Sequence, residues 1–141
     1  MSAEKQEIVF SGLKEVSHIQ MHVPEGGSEG PGTVVTYHCE LLDAAGEQLG
    51  KTVEGFAAVY LDPADKKVKQ RVNGTDEFAD GSVYWSGVIN LEGIIKGEPQ
   101  IVRAFGLTGR YRGKVGTRSL TLVGREDATT TVFTTEIKLA D

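Results

Sequence analysis

Turn signals cut this chain into short alternating runs, and that spacing limits its fold more than any other feature. The stretches Pro24 to Gly32, Asp43 to Gln48, Asp62-Pro63-Ala64-Asp65, Ala79-Asp80-Gly81 and Gly106 to Gly116 separate pieces rich in Val, Thr and Ile. Within each piece apolar and polar residues alternate, the period of a strand with one buried face. Eighteen Gly and four Pro sit mostly at the breaks, and helical periodicity is nearly absent. Eight strands are predicted, at about 8–23 (bent near Gly12), 33–42, 49–61, 67–78, 82–92, 100–108, 117–125 and 129–139. The expected fold class is all-β: one domain over residues 1–141, an eight-stranded antiparallel β-barrel with a flexible capping loop at 24–32. Glycines at the expected bends, Gly55, Gly74, Gly87 and Gly106, favour curvature and closure. A sandwich is the alternative, since strand count does not decide closure.

A formal charge of −5, spread along the chain, argues against nucleic acid as a partner. The cluster Arg103, Arg110, Arg112, Lys114 and Arg118 reads as a solvated strand end. The polar opening Met1 to Glu7 resembles neither a secretory signal nor a membrane anchor, so no membrane partner and a cytoplasmic location are expected. The lone Cys39 shares a face with Tyr37 and Leu41 and is expected to pack in the core.

Alternation also places Arg118 on the apolar face of its strand, with Leu120 and Leu122. Burying an unpaired charge costs several kcal/mol or more, about as much as a small domain can spare. Two readings remain open. Either a carboxylate such as Glu40 or Glu92 neutralises the guanidinium, or Arg118 lines a cavity entered by a polar part of a ligand. In the second reading the cavity holds Tyr37, Trp85 and Arg118 among Val72, Leu91, Val102, Leu120 and Leu122, a mostly apolar wall with few placed donors.

Other motifs carry little. The glycines of 106–116 precede a strand, whereas a phosphate-binding loop needs a helix N-terminus after it. His18 and His22 would sit about 13 Å apart along a strand, too far to share a metal. No Ser or Cys carries a nucleophile signature. Asn73-Gly74-Thr75 matches a glycosylation acceptor but has no meaning in a cytoplasmic chain.

Three stretches resemble the spirotetronate cyclases, small [4+2] cyclases (Diels–Alderases) of the abyssomicin type, related to the allene oxide cyclase barrel. They are Tyr37-His38-Cys39-Glu40-Leu41-Leu42-Asp43-Ala44-Ala45-Gly46 with Gln48-Leu49-Gly50, then Ala79-Asp80-Gly81 with Gly87, then Gly106-Leu107-Thr108-Gly109-Arg110-Tyr111-Arg112-Gly113 leading to Gly116 and Arg118. The resemblance spans about residues 33–124 and implies an eight-stranded barrel, commonly a homodimer, open at one end under a loop between the first two strands. It implies pocket positions Tyr37, Val72, Leu91, Val102, Arg118, Leu120 and Leu122. Val72, Val102 and Leu120 stand where the abyssomicin-type enzyme has bulky aromatics, and Trp85 where it has a small residue, so the cavity is reshaped.

The implied activity is the ring closure of a linear, tetronate-bearing polyene polyketide, a hydrophobic substrate, with no cofactor and no metal. Such a closure relies on holding diene and dienophile together, a contribution of up to about 7–11 kcal/mol. Arg118 would donate to the carbonyl conjugated with the dienophile, with Tyr37 as its catalytic companion and Trp85 walling the folded chain. The alternatives are a non-catalytic carrier for a hydrophobic small molecule, a dirigent or allene-oxide-cyclase-like barrel, and a hetero-Diels–Alder cyclase closing an ether ring.

Overall fold

A computed structural model describes residues 7–27 and 29–141. Residues 1–6 of the polar opening, and Ser28 in the loop expected to cap the barrel, lie outside the described residues. The alternating runs form β1 (Ile8–His22), β2 (Val34–Leu42), β3 (Gln48–Leu61), β4 (Val68–Phe78), β5 (Gly81–Asn90), β6 (Gln100–Gly109), β7 (Val115–Asp127) and β8 (Thr130–Ala140). Each strand pairs antiparallel with the next, and β8 returns to β1 through Ile8 opposite Leu139 to His18 opposite Thr130. The barrel is therefore closed and the sandwich is excluded. Closure leaves no unpaired edge to recruit another chain.

The expected bend in β1 is present at Gly12, whose φ of +65° accompanies a bulge between Phe10 and Leu13. One element departs from expectation. The fifth strand stops at Asn90 instead of running to residue 92, and Leu91–Ile95 form a single helical turn, α1. Asn90 caps that turn by accepting from the Gly93 amide at 3.2 Å, while the Gln100 side chain takes the Asn90 amide at 3.0 Å. The local capping bond wins over strand continuation, and it tips Ile94 inward to a buried position.

The two ends of the barrel differ. Toward the β2–β3, β4–β5 and β6–β7 turns the interior is filled. Phe10 stacks on Phe78 with centroids 4.7 Å apart, and Tyr111 leans on both. Ile8, Leu13, Val83, Ile137 and Leu139 complete this plug. Toward the β1–β2, β3–β4, β5–β6 and β7–β8 connections the interior is open. Eight strands suffice either to pack an interior or to hold one small ligand, and this barrel does one in each half.

Glycines expected to serve curvature have a second, steric role. A Cβ on Gly74 would lie 2.6 Å from the Trp85 ring, and one on Gly55 would lie 2.3 Å from the Tyr37 ring. The bare backbone at these two positions lets large rings lie flat against the neighbouring strand. Among the described residues no helix is long and apolar enough to cross a membrane.

Candidate functional site

The open half encloses a cavity of about 660 Å3. Its walls are the inward positions of strands: Ile19 and Met21 of β1, Val35 of β2, Val59 of β3, Val72 of β4, Leu120 and Leu122 of β7, Phe133 of β8. Ile94 and Ile95 of α1 form part of the rim, facing Glu29 and Gly30 of the β1–β2 connection and Arg125 of β7. The connection is anchored on β3: the Gly32 amide donates to the Val59 carbonyl at 2.8 Å, and the Val59 amide to the Thr33 carbonyl at 2.9 Å.

The floor is a polar layer between cavity and plug. Asp76 of β4 is completely buried and accepts from every side: from the Thr52 hydroxyl at 2.7 Å, Trp85 Nε1 at 3.1 Å, and Arg118 Nε at 2.8 Å and Nη2 at 3.3 Å. Glu15 of β1 accepts through Oε1 from Arg118 Nη2 and from the Thr135 hydroxyl at 3.3 Å. The guanidinium carbon also lies 4.3 Å from the centroid of the Trp85 ring, a desolvated cation–π contact. Burial alone would drive the Arg118 pKa down, but the Asp76 and Glu15 carboxylates outweigh it and push the pKa above its ordinary value. Arg118 is thus a permanent cation facing two carboxylates.

The side chains expected to form the pocket separate into two groups. Tyr37, Val72, Trp85, Leu91, Leu120 and Leu122 do converge on the cavity. Val102 does not: its side chain packs on Gly87, where an added Cβ would approach it to 2.8 Å, and it belongs to the core. Nor does Arg118 reach the cavity surface. It is 0% exposed and lies behind Glu15 and Trp85, held there by acids on two strands. Those acids are not the ones expected, because Glu40 pairs with His18 at 2.7 Å on the barrel exterior and Glu92 pairs with Lys96 at 2.8 Å on α1. Lys114, assigned to a solvated strand end, is also largely buried and pairs with Asp141 at 2.5 Å.

Glu15 and Asp76 went unnoticed in the sequence, yet the signal that picked out Arg118 was available for both. Glu15 alternates with Leu13, Ser17 and Ile19, and Asp76 with Val72, Gly74 and Phe78, so each is an acid on an inward face.

The Tyr37 and Trp85 donors are occupied. The Tyr37 hydroxyl donates to the Asn73 carbonyl at 2.9 Å, and burial, reinforced by the Glu15 charge, pushes its pKa well up, so it keeps its proton. The Trp85 N–H is committed to Asp76. Cys39 is buried in the same layer, its thiol pushed up chiefly by desolvation, and is a poor nucleophile. Among the described residues no group of three or more His, Cys, Asp or Glu side chains is placed to hold a metal ion.

Known folds of this shape include three enzymes. A nonspecific heme-binding cyclase that catalyses [4+2] cycloaddition during neoabyssomicin biosynthesis superposes with a TM-score of 0.84 at 23% identity, covering 99% of this chain and 68% of that one. The Diels–Alderase AbmU from Streptomyces koyangensis gives 0.81 at 23% identity, over 94% of this chain and 63% of that one. AbnU, an exo-specific intermolecular Diels–Alderase, gives 0.82 at 22% identity, over 99% and 100%. The chain therefore spans about two thirds of the first two and the full length of the third. At these identities the likeness is one of fold. The sequence itself matches the family model described as an allene oxide cyclase barrel like domain across residues 18–139, nearly the whole barrel, and the chain belongs to that family.

Proposed function

We propose that this protein is an intramolecular [4+2] cyclase that folds a linear polyene polyketide, tetronate-bearing, inside the barrel during bacterial natural-product biosynthesis. The observation that carries this reading is the blind, apolar cavity of about 660 Å3, within the range that buries a drug-sized guest. The likeness of fold to three [4+2] cyclases supports it.

The reaction forms two carbon–carbon σ bonds and a new π bond from three π bonds, and nothing leaves, so substrate and product are isomers. No proton must move in such a step, and the walls do the work by restricting the chain to conformers in which diene meets dienophile. Tyr37 and Trp85, with ring centroids 6.3 Å apart, provide a flat surface against which the folded chain lies. Arg118 acts as a positioning residue: it holds Glu15 at the floor and Trp85 in its plane, and does not touch the substrate. The connection over the mouth sheds water when substrate is bound. The reading asks for no cofactor and involves no nucleic acid or membrane. It places the protein in the cytoplasm, as a homodimer.

The test is incubation of the purified protein with linear tetronate polyenes, following loss of diene absorbance and formation of an isomer of unchanged mass. A Leu120→Trp variant, which fills the cavity, should fold and lose the activity. Return of the polyene unchanged from a saturable complex would make the protein a carrier. A product with an ether oxygen in the new ring would make it a hetero-Diels–Alder cyclase, and closure of some other ring a dirigent-like one.

A further inference from the structure

Counting hydrogens at the floor of the cavity shows what it offers a guest. Trp85 Nε1 and the Tyr37 hydroxyl have given theirs to Asp76 and to the Asn73 carbonyl. Among the described residues Arg118 Nη1 has no partner, but it is buried and not part of the cavity wall. Glu15 is different. It is only 4% exposed and lines the cavity, and both bonds it accepts fall on Oε1. Oε2 makes no hydrogen bond among the described residues. Two carboxylates against one guanidinium also leave the floor with one formal negative charge. A carbonyl or carboxylate pushed onto this floor would meet an acceptor and a like charge. A hydroxyl would meet an open valence. Ser17, also on the wall, has a hydroxyl that turns either way and does not change the balance.

The rim has the opposite character. Arg125 and Gln70 line it, and no ion pair engages Arg125 among the described residues, although Glu29 shares the rim. From Arg118 at the floor to Arg125 is seven residues of β7, about 23 Å along the strand and roughly 16–19 Å along the axis of a tilted barrel. We propose that the cavity takes an amphiphilic chain in one orientation only, with a hydroxyl or enol donated inward to Glu15 Oε2 and an anionic or acceptor head group outward beside Arg125 and Gln70. The inference rests on the cavity being the binding site, as the proposed function has it, and not on turnover. It narrows the substrate class to chains bearing a donor at the end remote from the acidic head.

Three probes built on the same twelve-carbon acid chain test it: ω-hydroxydodecanoate, ω-methoxydodecanoate and dodecanedioate, titrated against the intrinsic fluorescence of Trp85, the single tryptophan. The hydroxy acid should bind about tenfold or more tightly than either of the others, the margin of one hydrogen bond to a charged acceptor. Glu15→Gln should shrink the preference over the methoxy acid to within about threefold, because the amide offers donors as well as an acceptor. Arg125→Gln should weaken the hydroxy and methoxy acids together and leave their ratio unchanged. Equal or tighter binding of the methoxy acid or the diacid to the native protein overturns the proposal, and so does the failure of all three to bind. The native panel decides even if Glu15→Gln does not fold. A protein that shows this ranking but cyclises nothing keeps the orientation and loses the cyclase reading, so the two failures are distinguishable.

Discussion

Replacing Asp76 with Asn tests whether the polar layer holds the barrel together. The change removes a single charge and barely alters volume. The remaining Oδ1 still accepts from Thr52 and Trp85, but an amide NH2 now confronts Arg118 Nε where an oxygen stood at 2.8 Å. Arg118 keeps only Glu15 as a counter-charge, and Arg118 and Asp76 are both completely buried. Glu15 still balances the Arg118 charge, so the cost is that of a buried charged donor, Arg118 Nε, left facing another donor, about 2–3 kcal/mol. Against a total stability of about 5–15 kcal/mol this is a large fraction but leaves a folded protein. With a urea slope of about 2 kcal/mol per molar, the unfolding midpoint should fall by roughly 1–1.5 M. Trp85 reports the change directly, since its emission follows both unfolding and the loss of its acidic partner. A midpoint shift worth less than about 1 kcal/mol, with native emission unaltered, would refute the account of the floor as a cooperative network. Lys96→Ala, which breaks the exposed pair with Glu92, should leave the midpoint where it is and serves as the control.

Gly74→Ala should push the Trp85 ring off the β4 wall, because the new methyl would sit 2.6 Å from it; probe binding should weaken several-fold while the protein stays folded, and unchanged binding would show that the ring plane does not matter. The Tyr111 hydroxyl, at 2.5 Å, holds the Asp80 carboxyl below its usual range, so the folded state binds fewer protons than the unfolded one just under the ordinary carboxylate value. The stabilisation is present above that value and fades as pH falls through the lower folded one. Tyr111→Phe should therefore be destabilised relative to the native protein by more at pH 7 than in acid, and a gap equal at both would rule out the linkage. Cys39, buried and with its thiol pushed up by desolvation, should resist Ellman's reagent in the native protein and react on unfolding; rapid native labelling would contradict its place in the layer.

Alternation along each run, and the turn residues between runs, made the strands and their inward faces readable before any coordinates. That is why β1 to β8 fall within two residues or so of expectation, and why Tyr37, Trp85, Leu120 and Leu122 were recognisable as interior side chains. Period-two patterning is a local property, written in residues two apart, and it survives without knowledge of neighbours. The end of β5 was less legible, because a single capping bond from Asn90 competes with strand extension at almost no cost in sequence signal.

What tertiary structure alone decided is which inward residues meet. Arg118 and Asp76 are far apart in the chain, as are Arg118 and Glu15, and nothing in a linear pattern says that these three reach one level of the barrel. Strand order and register placed them there, and with them the boundary between plug and cavity. A charge on an apolar face told the sequence reader that compensation was needed. Only closure of the barrel determined that Asp76 and Glu15 supply it, that Val102 falls in the core, and that Glu15, not Arg118, faces the cavity.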